Sequence, residues 1–161
     1  MSLSANAQNA LSVALTPEQI RTDSESLSAY GQDWTRFAEP APAAIVFPRS
    51  TEEVATIVKL AREYQLSLVP SGGRTGLSGG AFATDGELVV SLEKLNFVNE
   101  INATDRTVHV GAGAITQQIQ ELAESSDLLY PVDFASSGSS QIGGNIATNA
   151  GGINVIRYGM T

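Results

Sequence analysis

Residues 143–152 read Gly143-Gly144-Asn145-Ile146-Ala147-Thr148-Asn149-Ala150-Gly151-Gly152. A glycine inside a helix costs about 1 kcal/mol relative to alanine. Two Gly-Gly pairs beside two asparagines are therefore poor choices for a segment with a purely structural task. They suit a backbone pressed against a flat or extended ligand, with amides available for hydrogen bonds. A short helix is predicted over 142–148, preceded by a loop over 131–140 that contains Ser137 and Gly138.

Working outward, a second glycine-rich stretch lies upstream: Pro70-Ser71-Gly72-Gly73-Arg74-Thr75-Gly76-Leu77-Ser78-Gly79-Gly80. Ten of the chain's 15 glycines fall in residues 72–80 and 138–152, which makes that clustering the most informative feature of its composition. The upstream loop directly follows a predicted strand. Consecutive inward N–H groups can form a nest for phosphate oxygens, Thr75 and Ser78 add hydroxyls, and Arg74 is a candidate partner for a phosphate or an acidic substrate. A P-loop requires a lysine that this stretch lacks. A Rossmann fingerprint requires G-x-G-x-x-G opening a helix. Gly111-Ala112-Gly113 begins that way, but Thr116 stands at the third glycine position. Taken alone, the upstream loop leaves a ligand-free glycine hairpin or bulge equally open.

Between and around these stretches the pattern alternates strands and helices. Residues 1–15, rich in Ser, Asn and Ala, are expected to fray. Thr16, Pro17 and Gln19 look like the capping box of a helix over 17–30, and 31–42 reads as an irregular connection. A strand over 44–47 is followed by a capping box at Ser50 and Glu53. The helix it opens buries Val54, Ile57, Val58, Ala61 and Tyr64, and a second strand over 66–69 follows. Strand, helix, strand suggests a parallel βαβ unit. Further strands are predicted over 87–92 and in a hairpin over 97–110 with its turn at 102–105, then a helix over 116–124 with Ile119, Leu122 and Ala123 inward. The order suggests an α+β fold, not a regular doubly wound sheet.

The composition excludes several functions. The net charge is −8 and the only lysines are Lys59 and Lys94, so no clustered basic surface exists for nucleic acid. Without cysteine there are no disulfides or thiolate metal sites, and no metal site is expected. No run approaches a membrane span, and residues 1–14 lack the features of a secretory signal; a cytoplasmic location is the expectation. His109 stands in the hairpin opposite Val108 and Val110 and reads as an exposed or structural imidazole. Glu121 and Asp133 are single carboxylates without a visible partner, so no catalytic residue is assigned.

Together, the two stretches in this order, with Pro131-Val132-Asp133 before the second and Arg157-Tyr158-Gly159 after it, resemble the FAD-binding domain of the vanillyl-alcohol-oxidase-like flavoproteins (the PCMH type). Within that superfamily the similarity is to the D-2-hydroxyglutarate, D-lactate and glycolate dehydrogenases, over roughly Pro42 to Thr161. The resemblance implies an FAD-binding fold of two small α/β subdomains, with residues 1–41 as an N-terminal tail and helix and 42–161 as the front part of the FAD domain. It also implies that further strands and a substrate domain, carrying the catalytic residues, would follow Thr161. The first loop would wrap the FAD pyrophosphate through Gly72, Gly73, Arg74, Thr75, Gly76, Leu77, Gly79 and Gly80. The second would seat the flavin through Ser137, Gly138, Ile142, Gly143, Gly144, Asn145, Thr148, Asn149 and Gly152.

FAD would be held noncovalently. The implied activity is oxidation of a D-2-hydroxy acid to the 2-oxo acid by hydride transfer to flavin. Electrons would pass to an electron-transfer flavoprotein or a quinone, and this stretch alone would be inactive. Two other readings stay open: a flavin-binding module without dehydrogenase activity, and a protein that keeps the fold without flavin and tolerates side chains at Gly79 or Gly144. A cell-wall muramate reductase shares the domain, but 148–152 resembles the dehydrogenases more.

Overall fold

The computed structural model describes residues 3–161, and these divide into two compact units, Met1–Lys94 and Leu95–Thr161. In the first unit, helix α1 (Ala5–Ala14) opens on Ser4, whose hydroxyl accepts from the Ala7 N–H at 3.3 Å. The expected fraying is thus corrected from residue 3 onward; residues 1 and 2 lie outside the described residues. Burial of Ala7, Leu11 and Leu15 holds this segment, although its composition reads as polar.

The single helix expected over 17–30 is also corrected. Pro17–Gln19 is one 3₁₀ turn, strand β1 is Ile20–Arg21, and helix α2 is Ser24–Tyr30. The capping pair is present, with the Thr16 N–H donating to Gln19 Oε1 at 3.1 Å. However, the Gln19 amide is buried and reaches the Phe47 carbonyl (3.0 Å) and Glu53 Oε2 (2.6 Å), while the Phe47 N–H donates to the Gln19 carbonyl. These bonds lay the chain alongside the next strand instead of letting the helix continue. Asp23 then caps α2 by accepting from the Ser26 N–H at 2.8 Å.

Strand β2 (Ala44–Val46), helix α3 (Thr51–Tyr64) and strand β3 (Leu68–Ser71) follow, then strand β4 (Leu88–Ser91). The sheet order is β1-β2-β4-β3, with β1 antiparallel to β2 and the other three parallel. The expected parallel unit is present, but β4 stands between its two strands. Two sequence features decide that order physically. Pro70 cannot donate to a ladder and is tolerated at an edge, where β3 lies. The apolar run Leu88-Val89-Val90, buried on both faces, suits the position between parallel neighbours.

Ser50 caps α3 through the Glu53 N–H (3.2 Å), whereas the Glu53 carboxylate takes the Arg49 N–H (2.7 Å), displacing the expected box by one residue. Ile57 and Ala61 are buried, but Val58 is 50% exposed and leaves the expected stripe. Leu11, Leu15, Val46, Ile57, Leu88 and Val90 form one core cluster; Ile45, Phe47, Ala83 and Val89 form another. Each such large side chain contributes about 1.5–3 kcal/mol through burial.

In the second unit the expected hairpin is present only as isolated antiparallel bridges, Val98 with Val110 and Asn102 with Thr107. The Asn102 side chain builds the turn by accepting from the Thr104 and Asp105 N–H groups. Helices α4 (Thr116–Glu124), α5 (Ile142–Ala147) and α6 (Val155–Tyr158) follow. Ala114, Ile119 and Ile142 form the core of this unit. The whole is α+β, as the sequence suggests.

Candidate functional site

The first loop leaves the end of β3, the carboxyl end of a parallel strand, where ligands bind in open α/β sheets. Its backbone is unusual in one respect. Among the described residues, no N–H from Gly72 to Ala81 donates to a backbone carbonyl. Polar backbone groups that the fold leaves unpaired must be met by water or a ligand, and successive free N–H groups are what an anion requires. Arg74 is left-handed at φ 56° and Gly79 at φ 74°. An arginine in that region is uncommon, and such residues gather at functional sites.

The other loop side chains are open or only lightly engaged. Leu77 is exposed, and a side chain at Gly80 would meet nothing within 4 Å. Arg74 donates to the Gly72 carbonyl at 3.3 Å and lies over the Tyr30 ring at 4.3 Å. Tyr30 in turn donates to Glu93 Oε2 at 2.9 Å. Burial first, and then that bond to Glu93, raise the Tyr30 phenol above its usual range.

The second stretch is built differently: it bonds largely to its own unit. The Ile142 and Gly143 N–H groups donate to the Ala114 and Ala112 carbonyls, Ala150 to Asn145, and Ile153 to Asp133. Ile142 is a core residue. Asn145 is buried, donates to Thr116 Oγ1 at 2.6 Å and accepts from the Ser140 hydroxyl, so its side chain fastens α5 to α4. The Ser137 carbonyl accepts from the Gln117 N–H and helps cap α4, and Gly138 sits against the Gln117 side chain. Thr148 and the left-handed Asn149 (φ 49°) are exposed.

The glycines here fall into two kinds. A Cβ on Gly143 would lie 2.8 Å from that of Ala112, and one on Gly152 (φ 108°) would fall on the Asp133 carbonyl. Both are required by packing. Gly144 is different: its φ lies outside the left-handed region, and an added Cβ would meet nothing within 4 Å. Nothing among the described residues requires glycine there, which is the condition expected where space is kept for a ligand.

His109 is exposed and packs edge-on against Phe97 at 5.2 Å between ring centres. Glu121 accepts from Gln117, and the Asp133 backbone holds the Gly152–Ile153 turn. Among the described residues there is no group of metal-ligating side chains and no helix long and apolar enough to cross a membrane. One residue beside the first loop escapes sequence reading altogether: Asp33, in the segment read as irregular connection, is buried, and one of its carboxylate oxygens has no partner.

The fold is that of an alkyldihydroxyacetonephosphate synthase of solved structure (TM-score 0.85, 22% identity, covering 98% of this chain and 34% of that one). It is the PCMH-type FAD-binding fold. The chain belongs to the FAD-binding domain family, which matches residues 42–161. It is 57% identical over 94% of its length to a D-2-hydroxyglutarate dehydrogenase of Stutzerimonas stutzeri (strain A1501), covering 32% of that enzyme. To glycolate oxidase subunit GlcD of Bacillus subtilis (strain 168) it is 35% identical over 90% of its length, covering 31%. The chain thus spans about a third of the length of the curated relatives it matches.

Proposed function

We propose that the first loop of this FAD-binding domain receives the pyrophosphate through its free N–H groups, and that 142–152 lies along the flavin side of the cofactor. The ten consecutive residues Gly72–Ala81 without a backbone acceptor carry the reading. Gly76, Gly79 and Gly80 let backbone approach the ligand, Thr75 supplies a hydroxyl, and Arg74 supplies the positive charge. Gly144 keeps room for the ring system, while Gly143, Asn145 and Gly152 hold that stretch in shape.

FAD is held noncovalently: the chain has no cysteine, and His109, its sole histidine, packs edge-on against Phe97 in the hairpin. When bound, FAD supplies hydride and electron chemistry, and the protein supplies position and electrostatics. The longer protein is a D-2-hydroxy-acid dehydrogenase of the 2-hydroxyglutarate type, which the 57% identity supports over the lactate and glycolate types. Its electron acceptor is an electron-transfer flavoprotein or a quinone. The present stretch holds cofactor without turnover.

The test is FAD retention: the purified chain is loaded, free flavin is removed, and the visible spectrum gives the bound stoichiometry. Near-stoichiometric FAD that also competes with ADP is expected. A folded chain that retains neither would overturn the reading of the loop.

A further inference from the structure

Asp33 lies in the segment between α2 and β2, and its carboxylate is almost wholly shielded from solvent, at 4% exposure. One oxygen, Oδ1, is engaged locally. It accepts from the Thr35 N–H at 2.9 Å and from the Thr35 hydroxyl, closing a tight turn. The other, Oδ2, is buried without any partner. Leaving a carboxylate oxygen buried and unbonded costs more than leaving a neutral group so.

The surroundings show what that oxygen is aimed at. The next residue, Trp34, donates its N–H to the Gly76 carbonyl at 3.1 Å, tying this segment to the middle of the glycine loop. The position of a Cβ on Gly76 lies 3.8 Å from Oδ2 itself. Asp33 also lines a cavity of about 210 Å³ with Gln32, Trp34, Arg36, Gly73 and Arg74. The two arginines place positive charge around it, but neither pairs with it; among the described residues the ion pair found is Lys94 with Glu93. An unbonded acceptor therefore faces a loop whose N–H groups have no backbone acceptor.

We infer that Asp33 is the positioning residue of the glycine loop. Oδ2 accepts an N–H from the Gly76 turn when the loop takes its ligand-bound shape, and so fixes the direction of the remaining N–H groups toward the pyrophosphate. A carboxylate suits the task because its bond to an amide is charge-assisted and short. Arg36 and Arg74 line the same cavity and keep positive charge near it. The free chain carries the strain of the unbonded oxygen, and ligand binding relieves it.

This inference rests on the loop's proposed role in binding FAD, and the experiment separates the two. FAD and ADP affinities and apo thermal stability are measured for the chain and for Asp33→Asn and Asp33→Glu. Asn keeps the Thr35 turn, removes the buried charge and replaces the free acceptor by a donor. The expected result for Asp33→Asn is an apo melting temperature equal to or above that of the parent, with FAD and ADP both weakened by about ten- to hundredfold, the worth of one charge-assisted bond. FAD that remains bound keeps its visible spectrum, because the effect is on the pyrophosphate end. Asp33→Glu, which retains the acceptor, restores part of the affinity.

A melting temperature that falls in step with affinity would reduce Asp33 to a structural residue and overturn the inference. So would parental FAD affinity in Asp33→Asn, while leaving the function of the loop intact. If the parent chain itself binds neither FAD nor ADP, the reading of the loop fails, and this inference with it.

Discussion

Gly143 and Gly144 are neighbours in α5 with opposite reasons for being glycine, so replacing each in turn separates folding from binding. Alanine at either position brings at most about 1 kcal/mol of helix propensity. That gain is common to both and cancels in the comparison. What remains is steric. In Gly143→Ala the new methyl group would press into the Ala112 methyl at 2.8 Å and the Ala112 carbonyl at 2.9 Å, contacts that real side chains do not hold. Relief requires backbone displacement where α5 meets residue 112, at a cost of about 1–3 kcal/mol. In Gly144→Ala the methyl group would touch nothing.

With a melting-temperature shift of about 2–4 °C per kcal/mol for a chain of this size, Gly143→Ala should melt about 2–12 °C below Gly144→Ala. Calorimetry of the apo chain measures this. Gly144→Leu extends the comparison: its apo melting temperature should stay at the Gly144→Ala level, while FAD affinity falls by about ten- to hundredfold for overpacking against the ligand. Equal melting temperatures for the two alanine variants would refute the steric assignment. Parental FAD affinity in Gly144→Leu would refute the claim that this space is kept for the cofactor.

Three further outcomes follow from the same structure. Asn145→Ala removes the buried bonds to Thr116 and Ser140 and leaves the Ser140 hydroxyl without a partner, so urea unfolding should show a loss of about 2–3 kcal/mol. The Asp23 carboxyl is held below its usual range by the Ser26 N–H it accepts at the head of α2. Its contribution is therefore present above the unfolded value of about 3.9 and lost as pH falls through the lower folded value; Asp23→Asn should flatten the acid side of the melting-temperature profile and leave neutral stability nearly unchanged. Ile153, Ile156 and Met160 are 79%, 100% and 62% exposed, and apolar surface left open promotes association, so Ile156→Asp should shift the chain toward monomer in sedimentation velocity without lowering its melting temperature.

What the sequence discloses and what it hides divide along physical lines. Helix α4 is legible to the residue because its apolar period is clear and the polar Ser125-Ser126-Asp127 follows it, and α5 is legible despite its glycines because Ile142 and Ile146 frame it. Helix α1 is hidden: Ala, Ser and Asn carry little periodic signal, and only the burial of Leu11 and Leu15 decides the matter. The break at residues 20–23 is hidden behind a continuous helical pattern. Asp23, a strong cap in mid-pattern, is the one local clue to it. Sheet order is half visible, since Pro70 marks β3 as an edge.

Both glycine stretches stand out from spacing alone, but not that one leaves its amides free while the other bonds to itself. That distinction depends on where Ala112, Ala114 and Asp133 come to lie. Asp33 is invisible for a similar reason, because a single acidic residue in an irregular connection carries no pattern.

The free amides of the first loop have a kinetic consequence. Hydrogens on Gly72–Ala81 that no carbonyl holds should exchange with deuterium at close to the rate of an unfolded peptide, even though β3 and β4 beside them are protected by the sheet. A bound ligand would slow them without any change elsewhere in the backbone. The loop is thus a built-in gauge of its own occupancy, readable amide by amide in a protein whose fold does not need to move to report it.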